Sequence, residues 1–239
     1  MDQVKEQNPT REKAVRVPVG GTILQADFAV PESACAVVLF AHGSGSSRHS
    51  PRNRYVAKVL QGAGLATVLM DLLTPEEEAF DAYTATLRFD IGLLAGRLED
   101  AAGWLVDQPQ TAQLPIGYFG ASTGAAAALV AAAELPALVK AVVSRGGRPD
   151  LAGKALQHVA APTLLIVGGR DSTVLELNRQ AFAALPCEKK LEIVPGATHL
   201  FEEPGSLESV AQLAKNWFVY YLSRTSAMPQ EADLKRTQV

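Results

Sequence analysis

The chain has 239 residues, of which 48% are hydrophobic and 20% are charged, so it suits one globular domain and is unlike disordered or collagen-like proteins. Its 22 Lys and Arg residues against 25 Asp and Glu residues give a net charge of −3, which argues against nucleic acid or an anionic membrane as a partner. The widely separated Cys35 and Cys187 indicate neither a disulfide framework nor a metal site. Without an apolar leader or a span of about 20 apolar residues, we expect a soluble cytoplasmic protein.

In chain order, short runs rich in β-branched residues predict eight strands. The first two are separated only by Gly20 and Gly21, a pair suited to a two-residue hairpin turn, so the chain starts with an antiparallel pair. Most later runs are continuously apolar, as expected of parallel strands that are covered on both faces. The predicted strands are residues 14–19, 22–30, 35–41, 65–71, 114–119, 139–144, 162–168 and 190–195.

Helices are predicted between these strands and after the last one. The longest, residues 86–107, carries apolar residues at spacings of three and four, which make one stripe to pack on the sheet. The others are residues 53–63, 123–134, 174–184 and 205–222. This alternation predicts an α/β fold with one doubly wound domain over residues 14–222, flanked by polar ends at 1–13 and 226–239 that we expect to fray.

One motif points to nucleophilic chemistry. The pentapeptide from Gly120 to Gly124 has the form Gly-x-Ser-x-Gly, follows a predicted strand and opens a predicted helix. In that setting the glycines let strand and helix approach closely, Ser122 is exposed at a sharp turn, and the helix amides point at a developing oxyanion. The alternative is a glycine-rich turn that merely starts a helix.

A serine needs a histidine base, and the chain has four histidines. His199 is the best candidate, because it follows the last predicted strand in a loop that can overhang the nucleophile. His158 precedes a strand and is expected at the opposite rim, whereas His49 lies in a polar loop and is expected to be solvated. His42 follows the third strand.

The histidine in turn needs an orienting acid. Asp171 ends the strand and turn that precede the His199 strand, so both residues point to the carboxyl edge of the sheet. A competing role for Asp171 is to cap the helix that starts near Val174, and the two roles can coexist. Asp71, at the end of the fourth strand, is the second-ranked acid because it precedes the serine in sequence.

The order Ser122, Asp171, His199, each after a different apolar strand, resembles the α/β-hydrolase superfamily over residues 14–222. The loop from His42 to Ser46 resembles its oxyanion loop. Together with the closing pattern of residues 195–201, these features look most like the dienelactone hydrolase-like branch. The chain departs from dienelactone hydrolases proper by having serine in place of cysteine at the elbow, which puts dienelactone itself in doubt as a substrate.

The resemblance implies a three-layer sheet of eight strands, with Ser122 as nucleophile, His199 as base and Asp171 as acid. The backbone amides of Ser44 and Thr123 would form the oxyanion hole, and no metal or organic cofactor is implied. His42 in such loops usually fixes the loop by hydrogen bonding.

We therefore expect a serine esterase that takes a small-molecule ester through an acyl-enzyme. Only about 17 residues separate the strand ending at Ser144 from the one starting at Pro162, so no cap domain fits and the open cleft favours small or accessible esters. A thioesterase, amidase or acyltransferase would use the same triad, and a non-catalytic binding protein on this fold is the more distant alternative. The oligomeric state is left open, a homo-oligomer included.

Two cations, Arg145 and Arg148, lie in the connection that follows Ser144 at the same edge. Arg145 is a candidate for binding a substrate carboxylate. The favoured alternative is that both are solvated surface charges that pair with Asp150, Glu202 or Glu203.

Overall fold

A computed structural model describes residues 12–225. All eight predicted strands are present. They are β1 (Glu12–Val19), β2 (Thr22–Ala29), β3 (Ala36–Ala41), β4 (Leu65–Met70), β5 (Ile116–Ala121), β6 (Val139–Arg145), β7 (Thr163–Gly168) and β8 (Lys189–Val194). Glu12 and Lys13, which the sequence placed in a frayed end, begin β1 instead. The rest of the predicted frayed ends, residues 1–11 and 226–239, lies outside the described residues.

The strands form a single sheet in the order β1-β2-β4-β3-β5-β6-β7-β8. β1 is antiparallel to β2 and β2 is antiparallel to β4, whereas every later pair is parallel. The hairpin between β1 and β2 turns on Gly20 and Gly21, whose φ angles of 51° and 79° match the two-residue turn that was predicted. The carboxyl ends of β3 to β8 therefore meet at one edge.

Helices cover both faces of the sheet. They are α1 (Pro51–Gln61), α2 (Pro75–Thr84), α3 (Ile91–Asp107), α4 (Thr123–Glu134), α5 (Ser172–Ala184) and α6 (Ser206–Thr225). One buried cluster joins the sheet to apolar residues of α3, α4 and α5, such as Leu98, Leu129 and Ala181. A second cluster on the other face joins it to α1 and α6 through residues such as Leu60 and Phe218. The predicted three-layer α/β architecture is confirmed.

The segment between β4 and β5 differs from the prediction of one long helix at 86–107. A short 3-10 helix covers Leu87–Phe89, and α3 begins only after Asp90, whose carboxylate accepts a hydrogen bond from the Leu93 amide at 2.9 Å. The prediction also missed α2. Only Asp81 is buried in α2, so no apolar stripe marks it, but Thr74 and Glu77 form a capping box at its start.

The connection between β6 and β7 contains only two short 3-10 pieces within Pro149–His158, separated by a kink at Gly153, which agrees with the prediction that no cap domain is inserted there. No helix in the described part of the chain combines the length and apolar character needed to cross a membrane.

Candidate active site

Ser122 stands on a sharp turn between β5 and α4. Its φ of 51° and ψ of −121° lie in a region that a residue with a side chain rarely adopts. The flanking glycines allow this turn: a Cβ on Gly120 would lie 2.4 Å from the Ala125 Cα, and one on Gly124 would lie 2.4 Å from the Ala41 carbonyl oxygen. The predicted close approach of strand and helix is therefore present, and Ser122 is only partly buried.

Two backbone hydrogen bonds hold this elbow to the segment after β6. The Ser122 amide donates to the Arg145 carbonyl at 3.3 Å, and the Ser122 carbonyl accepts from the Arg148 amide at 3.0 Å. Ser122 occupies the N-cap position of α4, but its side chain makes no capping hydrogen bond. Its hydroxyl has no hydrogen-bond partner among residues 12–225 and is thus available for chemistry.

His199 and Asp171 meet at the same edge of the sheet. Asp171 follows β7, His199 follows the adjacent strand β8, and His199 Nδ1 lies 2.7 Å from Asp171 Oδ2. Asp171 also occupies the N-cap position of α5, yet its side chain caps nothing there. Its carboxylate is instead within hydrogen-bond distance of the imidazole, so the predicted side-chain capping is not observed.

Asp71, the second-ranked acid, has other partners. Its carboxylate accepts hydrogen bonds from the Arg48 amide at 2.8 Å and from the Arg48 guanidinium. β4, which ends just before Asp71, is separated from β8 by four strands in the sheet. Asp71 therefore does not meet His199.

The loop that carries His199 is closed by Glu203 and Phe201, in roles that the sequence did not predict for them. The Thr198 amide donates to both carboxylate oxygens of Glu203 at 3.1 Å, and this hydrogen bonding lowers the pKa of Glu203. Phe201 is buried and has a φ of 56°, an unusual value for a bulky residue. No sequence pattern marks these roles, since each depends on which side chains the loop meets.

Ser122 and His199 approach the same short segment, residues 145–148, from two sides. The elbow is hydrogen-bonded to that segment, and a Cβ on Gly146 would lie 3.1 Å from the His199 carbonyl oxygen and 3.6 Å from its Nδ1. No hydrogen bond joins the Ser122 hydroxyl to the imidazole among the described residues. The structure thus forms the histidine and aspartate pair at the sheet edge where the Ser122 elbow also lies.

The two predicted oxyanion donors, the backbone amides of Thr123 and Ser44, differ in their hydrogen bonding. The Thr123 amide is the first of helix α4 and has no acceptor within residues 12–225. The Ser44 amide donates to Thr123 Oγ1 at 2.9 Å. The loop itself lies against the nucleophile, since a Cβ on Gly43 would lie 2.9 Å from the Ser122 Cβ. Of the two amides, only that of Thr123 is therefore without an acceptor among the described residues, whereas that of Ser44 is bonded to the Thr123 hydroxyl.

His42 fixes the loop as expected. Its Nε2 accepts a hydrogen bond from the Leu72 amide at 3.0 Å, so the proton is on Nδ1, which donates to the Gly43 carbonyl at 2.9 Å. Burial lowers the pKa of His42, which keeps the ring neutral. Because both nitrogens are used, His42 cannot serve as the base. Of the other histidines, His49 and His158 are both exposed, as predicted.

A cavity of about 470 Å³ opens beside Thr123 and the oxyanion loop. Its walls come from residues 42–47, the start of α1, Leu72 and Leu73 after β4, and α2 with the residues that follow it. Its charged lining consists of Glu78 and the ion pair of Asp81 with Arg88. Burial and the nearby Asp71 raise the pKa of Glu78.

The two arginines after Ser144, Arg145 and Arg148, lie in different surroundings. Arg148 pairs with Asp150 through two hydrogen bonds of 2.8 and 2.7 Å, as predicted. Arg145 is 5% exposed, so the expectation that it is a solvated surface charge is wrong. Its guanidinium is directed to Asn53 and Phe201, and it does not line the cavity, which gives no support to the expectation that it binds a substrate carboxylate.

This fold, with Ser122 on a sharp turn between a strand and a helix, is that of the α/β hydrolases. A model of the dienelactone hydrolase family matches residues 24–224, and the chain belongs to that family. A crystal structure of a dienelactone hydrolase from Anabaena variabilis is 62% identical, covers 90% of this chain and 100% of its own, and superposes with a TM-score of 0.88.

More distant structures share the fold alone. A serine hydrolase without a lid from Xanthomonas campestris is 20% identical and covers 90% of this chain and 97% of its own, with a TM-score of 0.71. Among curated proteins, relatives from two strains of Mycobacterium tuberculosis are 63% identical over 214 residues, and both carry a provisional phosphoribosyl transferase name. The alignment covers 90% of this chain but 47% of those proteins, so the chain spans about half of their length.

Proposed function

We propose that the chain is a serine hydrolase that cleaves small or accessible carboxylic esters through an acyl-enzyme on Ser122. The observation that carries the proposal is the hydrogen bond between His199 Nδ1 and Asp171 Oδ2, formed at the sheet edge where the Ser122 hydroxyl stands unpartnered. With its Nδ1 proton held by the carboxylate, the imidazole presents Nε2 as the base.

In the proposed reaction, Ser122 Oγ attacks the ester carbonyl carbon while His199 Nε2 accepts the hydroxyl proton. The Ser–His hydrogen bond forms in this step, as catalytic contacts often tighten only when substrate is bound. The oxyanion accepts a hydrogen bond from the Thr123 amide, and from the Ser44 amide once it displaces Thr123 Oγ1. His199 then gives its proton to the leaving alcohol.

Deacylation repeats these roles with water in place of the serine. His199 removes a proton from water, the hydroxide attacks the acyl carbonyl, and the proton returns to Ser122 Oγ as the acid leaves. The cavity beside Thr123 can hold one side of the ester, and its volume of about 470 Å³ is in the range of small-molecule sites. Its size and the short connection after β6 support small esters over long lipid chains.

The phosphoribosyl transferase name of the mycobacterial relatives belongs to much longer proteins. Those proteins are about twice as long as the matched part, and the family that matches here is a hydrolase family. Thioesters and amides would be cleaved by the same triad, so they belong in the substrate panel that tests the proposal.

The test begins with a fluorophosphonate probe, which reacts with activated serines. We expect one label per chain, mapped to Ser122 by peptide mass spectrometry, and loss of both labelling and ester turnover in Ser122→Ala. Ser209→Ala is the matched control, since Ser209 lies on α6 and is exposed. Labelling at another serine, or full turnover by Ser122→Ala, would overturn the proposal. Turnover of acetyl and butyryl esters should exceed that of long-chain esters.

A further inference from the structure

Arg145, the last residue of β6, carries a buried cation without a counter-ion. It is 5% exposed, and within residues 12–225 no carboxylate lies within ion-pair distance of its guanidinium. Nη2 donates to Asn53 Oδ1 at 3.1 Å, and the guanidinium carbon lies 5.9 Å from the centre of the Phe201 ring. Burial and the neighbouring Arg52 lower the pKa of Arg145 to about 10, so it stays charged at neutral pH.

Stability does not account for a residue of this kind. Removing a cation from water is costly unless an anion compensates, and an amide oxygen with an aromatic face does so only in part. Arg145 Nε is also buried without a hydrogen-bond partner. An apolar side chain at this position would carry no unpaired charge, so we infer that the guanidinium serves something other than packing.

The contacts of Arg145 join the parts of the site. Its carbonyl accepts the hydrogen bond from the Ser122 amide at 3.3 Å, which ties it to the nucleophile elbow. Its side chain lies against Phe201, two positions after His199. Its hydrogen bond to Asn53 reaches the first turn of α1, just after the oxyanion loop. One residue thus contacts the nucleophile elbow, the His199 loop and the helix that follows the oxyanion loop.

Phe201 links Arg145 to the backbone of the His199 loop. Its φ of 56° is strained for a residue with a large side chain, and such backbone persists only where the surroundings fix it. Its ring is buried, and the guanidinium lies against it. If the ring were free to move, the backbone could relax and carry His199 with it.

We propose that Arg145 is a positioning residue, which holds the His199 loop against the nucleophile elbow through its contact with Phe201. This role rests on the proposed esterase function and deepens it. Arg145 touches neither the reacting atoms nor the cavity, so it acts on turnover rather than on substrate binding.

The first experiment compares Arg145→Met and Arg145→Lys with the control Arg179→Met, on the exposed face of α5. We expect Arg145→Met to lower kcat about ten- to hundredfold, the effect of misplacing a catalytic group, with KM changed less than about twofold. Its melting temperature should be unchanged or higher, because an unpaired buried charge is removed. Lysine keeps the charge without the planar fork and should recover only part of kcat.

A double-mutant cycle tests the route through Phe201. If Arg145 acts through the ring, Phe201→Leu and Arg145→Met each lower kcat, and the double variant is little worse than the poorer single variant. If the losses of kcat in the two single variants add in the double variant, Arg145 does not act through Phe201. A wild-type kcat in folded Arg145→Met would overturn the proposal itself.

A readout without turnover separates this proposal from the esterase function. The proton on His199 Nδ1, shared with Asp171, should give a far-downfield proton NMR signal at low temperature, which disappears in the control Asp171→Ala. We expect Arg145→Met to broaden or shift this signal and Arg179→Met to leave it unchanged. An unaltered signal in Arg145→Met would overturn the positioning role, whereas absent wild-type ester turnover would overturn only the esterase function.

Discussion

His199 Nδ1 lies 2.7 Å from Asp171 Oδ2 across 28 residues of sequence, and that carboxylate makes no capping hydrogen bond although Asp171 occupies the N-cap of α5. The helix start therefore uses the position of Asp171 without its side chain. The role of the carboxylate toward the imidazole can be tested by itself, because asparagine is as good an N-cap residue as aspartate.

We expect Asp171→Asn to leave the free energy of unfolding nearly unchanged while lowering kcat by about a factor of 10⁴, since an amide cannot hold the imidazole in the required tautomer. The measurements are ester kinetics and urea unfolding on the same preparations. Asp107→Asn, an exposed change at the end of α3, is the matched control. A kcat within tenfold of wild type in Asp171→Asn would contradict the assigned role of this carboxylate.

The close packing at the elbow can be tested by a substitution at Gly124, with a control substitution that is expected to change stability in the opposite direction. A Cβ on Gly124 would lie 2.4 Å from both the Ala41 and the His42 carbonyl oxygens, which are backbone atoms that cannot move aside freely. Gly124→Ala should therefore destabilise the protein by about 1–3 kcal/mol and lower turnover, because the elbow must shift away from β3.

Gly103 is the control for this substitution, since a Cβ there meets nothing within 4 Å in the exposed part of α3. Gly103→Ala should stabilise the protein by about 0.5–1 kcal/mol through helix propensity, with activity unchanged. Chemical denaturation measures both. If the two substitutions change the free energy of unfolding equally, the close approach at Gly124 does not restrict the side chain at that position.

The buried His42 makes stability depend on pH. Its pKa is lowered by burial in the folded protein, so between that value and the ordinary pKa of about 6.5 the unfolded chain binds a proton that the folded protein does not. The contribution of neutral His42 to the free energy of unfolding is therefore fully present above about pH 6.5. It is lost as the pH falls from there towards the pKa that His42 has in the folded protein.

We expect the wild type to lose unfolding free energy more steeply below pH 6.5 than His42→Gln, although the variant is less stable at pH 8. His158→Gln, at an exposed histidine, should follow the wild-type curve. Urea unfolding across this pH range gives the comparison. Parallel curves for the wild type and His42→Gln would show that His42 does not titrate as described.

The charge on the cavity wall bears on substrate choice. Asp81 and Arg88 neutralise each other there, whereas Glu78 forms no ion pair within the described residues and faces the same space. A substrate that carries a carboxylate would be repelled by the negative charge of Glu78, which the nearby Arg48 offsets only in part. We therefore expect neutral esters to be preferred over anionic esters of the same size.

In Glu78→Gln, the ratio of kcat/KM for a hemisuccinate ester to that for the matching butyrate ester should rise about two- to fivefold, the modest effect of one exposed charge. Glu76→Gln, on the same helix but outside the cavity lining, should leave the ratio unchanged. If both variants keep the wild-type ratio, Glu78 has no part in selection.

The amino-acid sequence by itself determined the eight strands, most helices and the candidate residues of the proposed site. Periodicity fixes which segments are buried on one face or two, and the glycine spacing around Ser122 has meaning as soon as a strand precedes it and a helix follows. α2 was missed because a helix with one buried residue has no apolar stripe, although the Thr74 and Glu77 capping box was available as a signal.

Only the tertiary structure decided between Asp171 and Asp71. Both follow strands whose carboxyl ends share one edge, but β7 is the neighbour of β8 in the sheet, whereas β4 is not. The same holds for Arg145, whose burial depends on α1 and on the Phe201 loop packing over the end of β6. Local sequence specifies which residues reach the edge, but strand order and the covering loops set their partners, because those contacts join residues far apart in the chain.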